Sequence, residues 1–229
     1  MIFPIGDDQV KGGQFPMFSY GFIILNVLVF IYELSLPPQD VEAFFMQYGA
    51  VPVEILNGEN WPSLLTSLFV HGGWMHIIGN MLFLWVFADN IEATIGNTRF
   101  LIFYLVGGLV AHATHIYFNP ASIAPTVGAS GAIAAVMGAY LVMFPRSQVK
   151  IFFFFFIFRI SAFIFLGIWI WQQWMSGTAS LTNAGVVNDG TAWWAHIGGF
   201  VFGILAGFYY RGEVIQGVAG YPEDDRQLW

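Results

Sequence analysis

Residues 127–144 read VGASGAIAAVMGAYLVMF, 18 residues with no charge and a single serine, Ser130. An apolar run of about 20 residues is long enough to cross a bilayer as a helix. Within it Ser130, Ala134 and Gly138 recur every four residues, with Gly131 and Ala135 beside them. Small side chains along one helical face let a second helix come close. That is how helices associate in lipid, where apolar side chains gain nothing over acyl tails. The stretch reads as a helix of a membrane bundle with a serine at its outer end.

Working outward, further apolar runs lie at 17–36, 72–91, 99–118, 160–174 with flanks, and 192–210, which makes six spans. The run 151–158 before Arg159 reads as an interfacial segment or as the first turns of the fifth helix. The expected fold is an all-α membrane protein, a six-helix bundle at 17–211 with a short tail at 1–16 and an acidic tail at 212–229. Composition agrees: 57% of residues are hydrophobic and only 9% charged, against roughly a quarter charged in soluble domains. The net charge of -7 comes partly from Glu223-Asp224-Asp225, and no basic stripe exists to hold nucleic acid. Without cysteine, disulfides, thiolate metal sites and cysteine nucleophiles are excluded. The N-terminal segment does not read as a removable signal peptide.

The basic residues set a direction. Lys11 precedes the first span, Arg99 separates the second from the third, and Arg146 and Lys150 separate the fourth from the fifth. Arg159 lies near the start of the fifth, and Arg211 and Arg226 follow the sixth. The other three loops have no Lys or Arg. With basic loops inside, both termini are cytoplasmic, and the second, fourth and sixth helices run inward. Ser130 is then 16 residues before Arg146, and His196 is 15 before Arg211. At 1.5 Å per residue both sit about 23 Å above their cytoplasmic anchors. His76, 16 residues before Glu92, lies at a similar level, with Asn80 one turn deeper on the same face. The sixth span carries Gly199, Gly203 and Gly207 below His196, so packing of the two small-residue stripes would bring Ser130 and His196 together.

A serine hydroxyl is a poor nucleophile until a base takes its proton, and a neutral imidazole does so near pH 7. The oxyanion that follows needs donors already in place. His76, Asn80 and the backbone N–H of Ser130, at the start of its helix, offer them. Gly128 and Gly131 would let a substrate backbone approach. Singly, an intramembrane serine is ordinarily a packing residue, and an asparagine can simply join helices. Four polar residues at one depth on three parallel helices fit an active site better. Other titratable groups carry less. His71 reads as ordering the preceding loop. His112 and His115 read as a structural pair, or as metal ligands without the usual carboxylate. Asp189 reads as a solvated loop carboxylate, or as a third member orienting His196. Asp89 and Glu92 read as capping groups or partners of Arg99.

At these residues the sequence resembles the rhomboid family of intramembrane serine proteases. The resemblance covers about 61–211. It runs through His71-Gly72-Gly73-Trp74-Met75-His76 with Asn80, through Gly128-Ala129-Ser130-Gly131, and through Ala195-His196-Ile197-Gly198-Gly199 with Gly203. It implies a six-helix rhomboid fold, a Ser130–His196 dyad without an acid, and an oxyanion site near His76 and Asn80. It also implies cofactor-free and metal-free hydrolysis of single-span membrane proteins, often after a small residue, with 160–174 and 176–188 admitting substrate and water. The expected location is the plasma (inner) membrane of a prokaryote, as a multi-pass protein. Two positions depart from the family pattern. A Trp-Arg pair in the first outer loop is here Trp61-Pro62, and an aromatic one turn after the nucleophile is here Ala134, which leaves His196 to be oriented by backbone or water. The rival readings are a silent rhomboid-like protein that binds transmembrane clients and a small channel or transporter. The first would typically lack the dyad, and the second lacks acidic pore residues and an inverted repeat.

Overall fold

The computed structural model describes residues 2–8, 13–182 and 191–218. Among these, six helices of 14 to 26 residues correspond to the six apolar runs: α1 (Met17–Ser35), α5 (Trp74–Ile95), α6 (Asn97–Phe118), α7 (Ser130–Met143), α8 (Ala162–Thr182) and α9 (Trp193–Val218). Between the first two lie α2 (Pro38–Tyr48), α3 (Pro52–Leu56), α4 (Ser63–Thr66) and a 3-10 turn at Ser67–Phe69. Lys11, Asp189, Arg226 and Glu223-Asp224-Asp225 fall outside the described residues.

The outside of the bundle is apolar. Ile24, Leu28 and Ile31 on α1, Ile164, Ile168 and Trp171 on α8, and Val201, Leu205 and Phe208 on α9 are all exposed. In water such a surface would drive association; in lipid it is the solvated face. Among the described residues, two helices, α1 and α6, are long and apolar enough to cross a membrane by length and composition. The central helix α7 has 14 residues and rises only about 21 Å. Every residue from 131 to 140 is buried, so α7 is surrounded by protein and need not span the hydrocarbon itself.

The close approach of α7 and α9 is made by backbone. A methyl group added at Gly199 would strike the carbonyl of Gly131, one at Gly203 that of Ala135, and one at Gly138 that of Phe200. Gly207 lies against Ala139. The α7 ridge that meets the α9 glycines is therefore Gly131, Ala135 and Ala139, one residue along from the Ser130–Ala134–Gly138 stripe. Around this seam, Phe87 and Phe100 on the flanking helices and Phe200 on α9 fill the interior with Tyr104 and Tyr140.

The all-helical expectation is corrected at one end of the bundle, between α7 and α8. A three-stranded antiparallel sheet joins β1 (Ile2–Gly6), β2 (Gln148–Phe153) and β3 (Phe156–Ser161), in that order. The segment 151–158 is thus the turn end of a hairpin and not the first turns of the fifth helix. Val149 and Ile151 are buried and alternate with the less buried Lys150 and Phe152, the two-residue period of a strand packed on one face. The aromatic and β-branched content of the run suits strands. Side chains from the N-terminal segment tie this sheet to the bundle. Asp7 accepts from the Tyr140 hydroxyl and from Asn90. Asp8 accepts from Arg159 at 2.9 Å and from the Gln148 N–H at 2.9 Å. At the start of α1, the Glu92 carboxylate accepts the N–H groups of Phe18 (2.8 Å) and Ser19 (2.6 Å) and the Ser19 hydroxyl (2.7 Å). A negative group suits that helix end, where N–H groups lack partners within the helix. The capping expected of Glu92 is thus directed at α1.

Candidate active site

Ser130 is the first residue of α7, and His196 lies in the first turn of α9. The glycine seam below them brings the two helices close enough for Ser130 Oγ and His196 Nε2 to stand 2.8 Å apart. Both side chains are half-buried and line a cavity of about 780 Å³, together with His76, Asn80, Trp169 and Trp193. A polar pair at the wall of a cavity of this size has room for a ligand segment and for water.

The loop before Ser130 is held by backbone bonds. Ala50 and Thr126 exchange N–H···O bonds of 2.9 Å each, and the Gly128 N–H donates to the Ser67 carbonyl at 2.8 Å. Gly128 has φ +115°, a conformation that side chains resist. Space requires glycine as well: a Cβ here would lie 2.5 Å from His76 Nε2 and 3.4 Å from Asn80 Nδ2. His76 and Asn80, one turn apart on α5, therefore converge on the backbone next to Ser130. A developing oxyanion above Gly128 would meet those two side-chain donors and the free N–H groups that open α7. Asn80 is itself oriented, since its Nδ2 lies 2.9 Å from His71 Nε2. The His71 N–H in turn donates to the Glu33 carboxylate at 3.0 Å. Gly131, Gly199 and Gly203 serve the seam, Gly131 lying against the Ala111 methyl as well.

The chief contact missed by sequence reading is Gln173 of α8. Its Oε1 lies 2.7 Å from His196 Nδ1, and the residue is buried. The Trp169 ring, one turn earlier on α8, stands 5.8 Å from the imidazole at 37°, and Trp193 approaches it edge-on at 6.3 Å. Side chains of α8 meet the face and rear nitrogen of His196, a contact the sequence reading did not foresee. The adjacent Gln172 and Gln173 in a mostly apolar fifth span were the available signal.

The connection between α1 and α5, which holds Trp61-Pro62, is pinned without a Trp-Arg pair. Asn60 Nδ2 donates to the Gln47 carbonyl at 3.0 Å, Thr66 to Tyr48 at 2.9 Å, and Ser67 Oγ lies 2.9 Å from His112 Nε2. His112 is thus a buried partner of the loop, while His115 faces the cavity. The expected access segment 176–188 is described only as far as residue 182, the end of α8.

Comparison with known proteins agrees with this architecture. Residues 58–213, which hold α5 to α9 up to Glu213, match the Rhomboid domain family. The chain is 29% identical over 192 residues to Rhomboid protease GluP of Bacillus subtilis, covering 83% of this chain and 34% of that protein. It is 27% identical over 193 residues to the human Presenilin-associated rhomboid-like protein, mitochondrial, covering 80% and 46%. To Rhomboid protein 1, mitochondrial, of Saccharomyces cerevisiae it is 25% identical over 152 residues, covering 64% and 41%. The chain spans less than half the length of each of these three relatives. With more than half of its residues inside the family match, and the three polar motifs gathered at one cavity, this chain belongs to the rhomboid family of membrane proteins.

Proposed function

We propose that the protein is an intramembrane serine endopeptidase, hydrolysing peptide bonds in or near the transmembrane segments of single-span membrane proteins. The observation that carries this reading is the 2.8 Å contact of Ser130 Oγ with His196 Nε2, beside the His76 and Asn80 donors. In the reaction Ser130 Oγ attacks the scissile carbonyl carbon while its proton passes to His196 Nε2. The carbonyl oxygen becomes an oxyanion, held by His76, Asn80 and the Ser130 N–H. The C–N bond breaks as His196 returns the proton to the leaving amine, and an acyl ester on Ser130 remains. Water, deprotonated by His196, then hydrolyses that ester and regenerates the hydroxyl. These steps need only groups of this chain and water.

The proposal includes the membrane arrangement. Helices α1 and α5 to α9 form the membrane bundle, with the short α7 enclosed by the others and both termini on the cytoplasmic side; the placement of Arg99, Arg146, Lys150 and Arg211 supports that direction. The apolar outer faces of α1, α8 and α9 support this. The host membrane is taken to be the plasma membrane of a prokaryote.

The test is direct. A fluorophosphonate should label Ser130 of the purified chain in detergent. Ser130→Ala and His196→Ala should each abolish cleavage of a reconstituted single-span substrate, a loss of about three orders of magnitude or more. Undiminished cleavage in either variant rejects the mechanism.

A further inference from the structure

The two nitrogens of His196 have opposite duties. If Nε2 is to take the Ser130 proton, it must be bare at rest, so Nδ1 must carry the hydrogen and face an acceptor. Gln173 Oε1 stands at that place, 2.7 Å from Nδ1. The amide orientation has independent support. Gln173 Nε2 lies 3.4 Å from the Trp169 carbonyl one turn back, so the amide nitrogen finds an acceptor there and the oxygen is turned to the ring. Gln173 is 5% exposed, so water does not compete freely for that oxygen. Trp169, on the same face of α8, packs against both His196 and Phe200, at 5.8 and 5.9 Å. Ala134, by contrast, is fully buried, and a Cβ at Gly199 would be 3.4 Å from its methyl group. An aromatic ring at position 134 has no room beside this seam.

We propose that Gln173 is a positioning residue for the hydrolysis, holding His196 as the Nδ1–H tautomer while Trp169 steadies the ring. The inference rests on the reading of Ser130 and His196 as the reacting pair. It makes the base dependent on a third helix. Nucleophile and base ride on α7 and α9, but the base is aimed from α8, so displacing α8 would misdirect the imidazole without moving Ser130.

The experiment uses the full chain in detergent with ¹⁵N-labelled histidine, and His196→Ala to assign the resonances. Wild type should show His196 with Nδ1 protonated and Nε2 bare. Gln173→Leu should move it toward the Nε2–H form or a mixture, and slow fluorophosphonate labelling of Ser130 about 10- to 100-fold. Gln173→Glu restores an acceptor and should recover labelling relative to leucine. His76 and His115, the other titratable side chains lining the cavity among the described residues, are the same in all variants. Should the leucine variant not fold, Gln173→Met carries the same test. An unchanged His196 tautomer, with labelling within twofold of wild type, overturns the proposal. A wild-type chain that takes no label defeats the hydrolase reading instead, and the nitrogen spectra still decide whether Gln173 sets the tautomer.

Discussion

The seam between α7 and α9 and the contact of α8 with that seam hold the same site by different means. In the seam, glycines bring one helix onto the carbonyls of the other, and any added carbon at Gly199 or Gly203 meets backbone. Backbone carbonyls cannot rotate away, so the spacing of Ser130 and His196 is fixed as rigidly as the helices themselves. Helix α8 instead touches His196 with the tips of long side chains, Gln173 and Trp169, and turns Phe163, Ile164, Ile168 and Trp171 outward. Gly167 on α8 has nothing within 4 Å of where a side chain would be. The Ser130 and His196 side chains are thus brought together by packing that tolerates no change, while the orientation of the imidazole comes from an element with slack around it.

The largest effect should come from breaking the seam. Gly203→Leu forces a branched side chain into the Ala135 backbone, a destabilisation of about 3 kcal/mol or more, since the neighbour cannot yield. Thermal unfolding in detergent should show a large drop in midpoint, and Ser130 labelling should vanish with the fold. A wild-type midpoint would mean that α7 and α9 are not locked as described.

Next, Gly128→Ala separates the site from the seam. The added methyl enters the space before His76 Nε2, at a backbone conformation that costs alanine about 1–3 kcal/mol. Turnover should fall about 10²- to 10³-fold, as for loss of an oxyanion donor. The protein should remain folded, so the rate falls far more than the midpoint. Equal losses in both would make Gly128 a folding residue alone.

The smallest effect belongs to the α8 edge. Gly167→Ala fills open space within a helix and should stabilise the chain by about 0.5–1 kcal/mol through helix propensity. A fall in the unfolding midpoint comparable to that of Gly203→Leu would erase the contrast between the two regions.

Much of this molecule was legible along the chain because the relevant signals repeat locally. Six apolar runs, basic residues clustered in alternate loops, and small residues every fourth position each need only a few neighbouring residues to be seen. Matching depths could be counted for Ser130, His196, His76 and Asn80 because the rise per helical residue is constant. The hairpin at 148–161 was obscured for the opposite reason. A dense run of phenylalanine has no polar residues to display a period, so helix and strand look alike until β1 pairs with it from about 150 residues away.

What the sequence by itself determined was the class of solvent, the six long helices and the residue types able to do the chemistry, since these depend on composition and period. Tertiary structure alone decided that the α9 glycines settle on Gly131, Ala135 and Ala139, that Glu92 caps α1, and that Gln173 reaches His196. Each of those outcomes turns on the relative rotation and tilt of two helices. No local pattern states that rotation; it follows from how all the side chains of the bundle fill space at once.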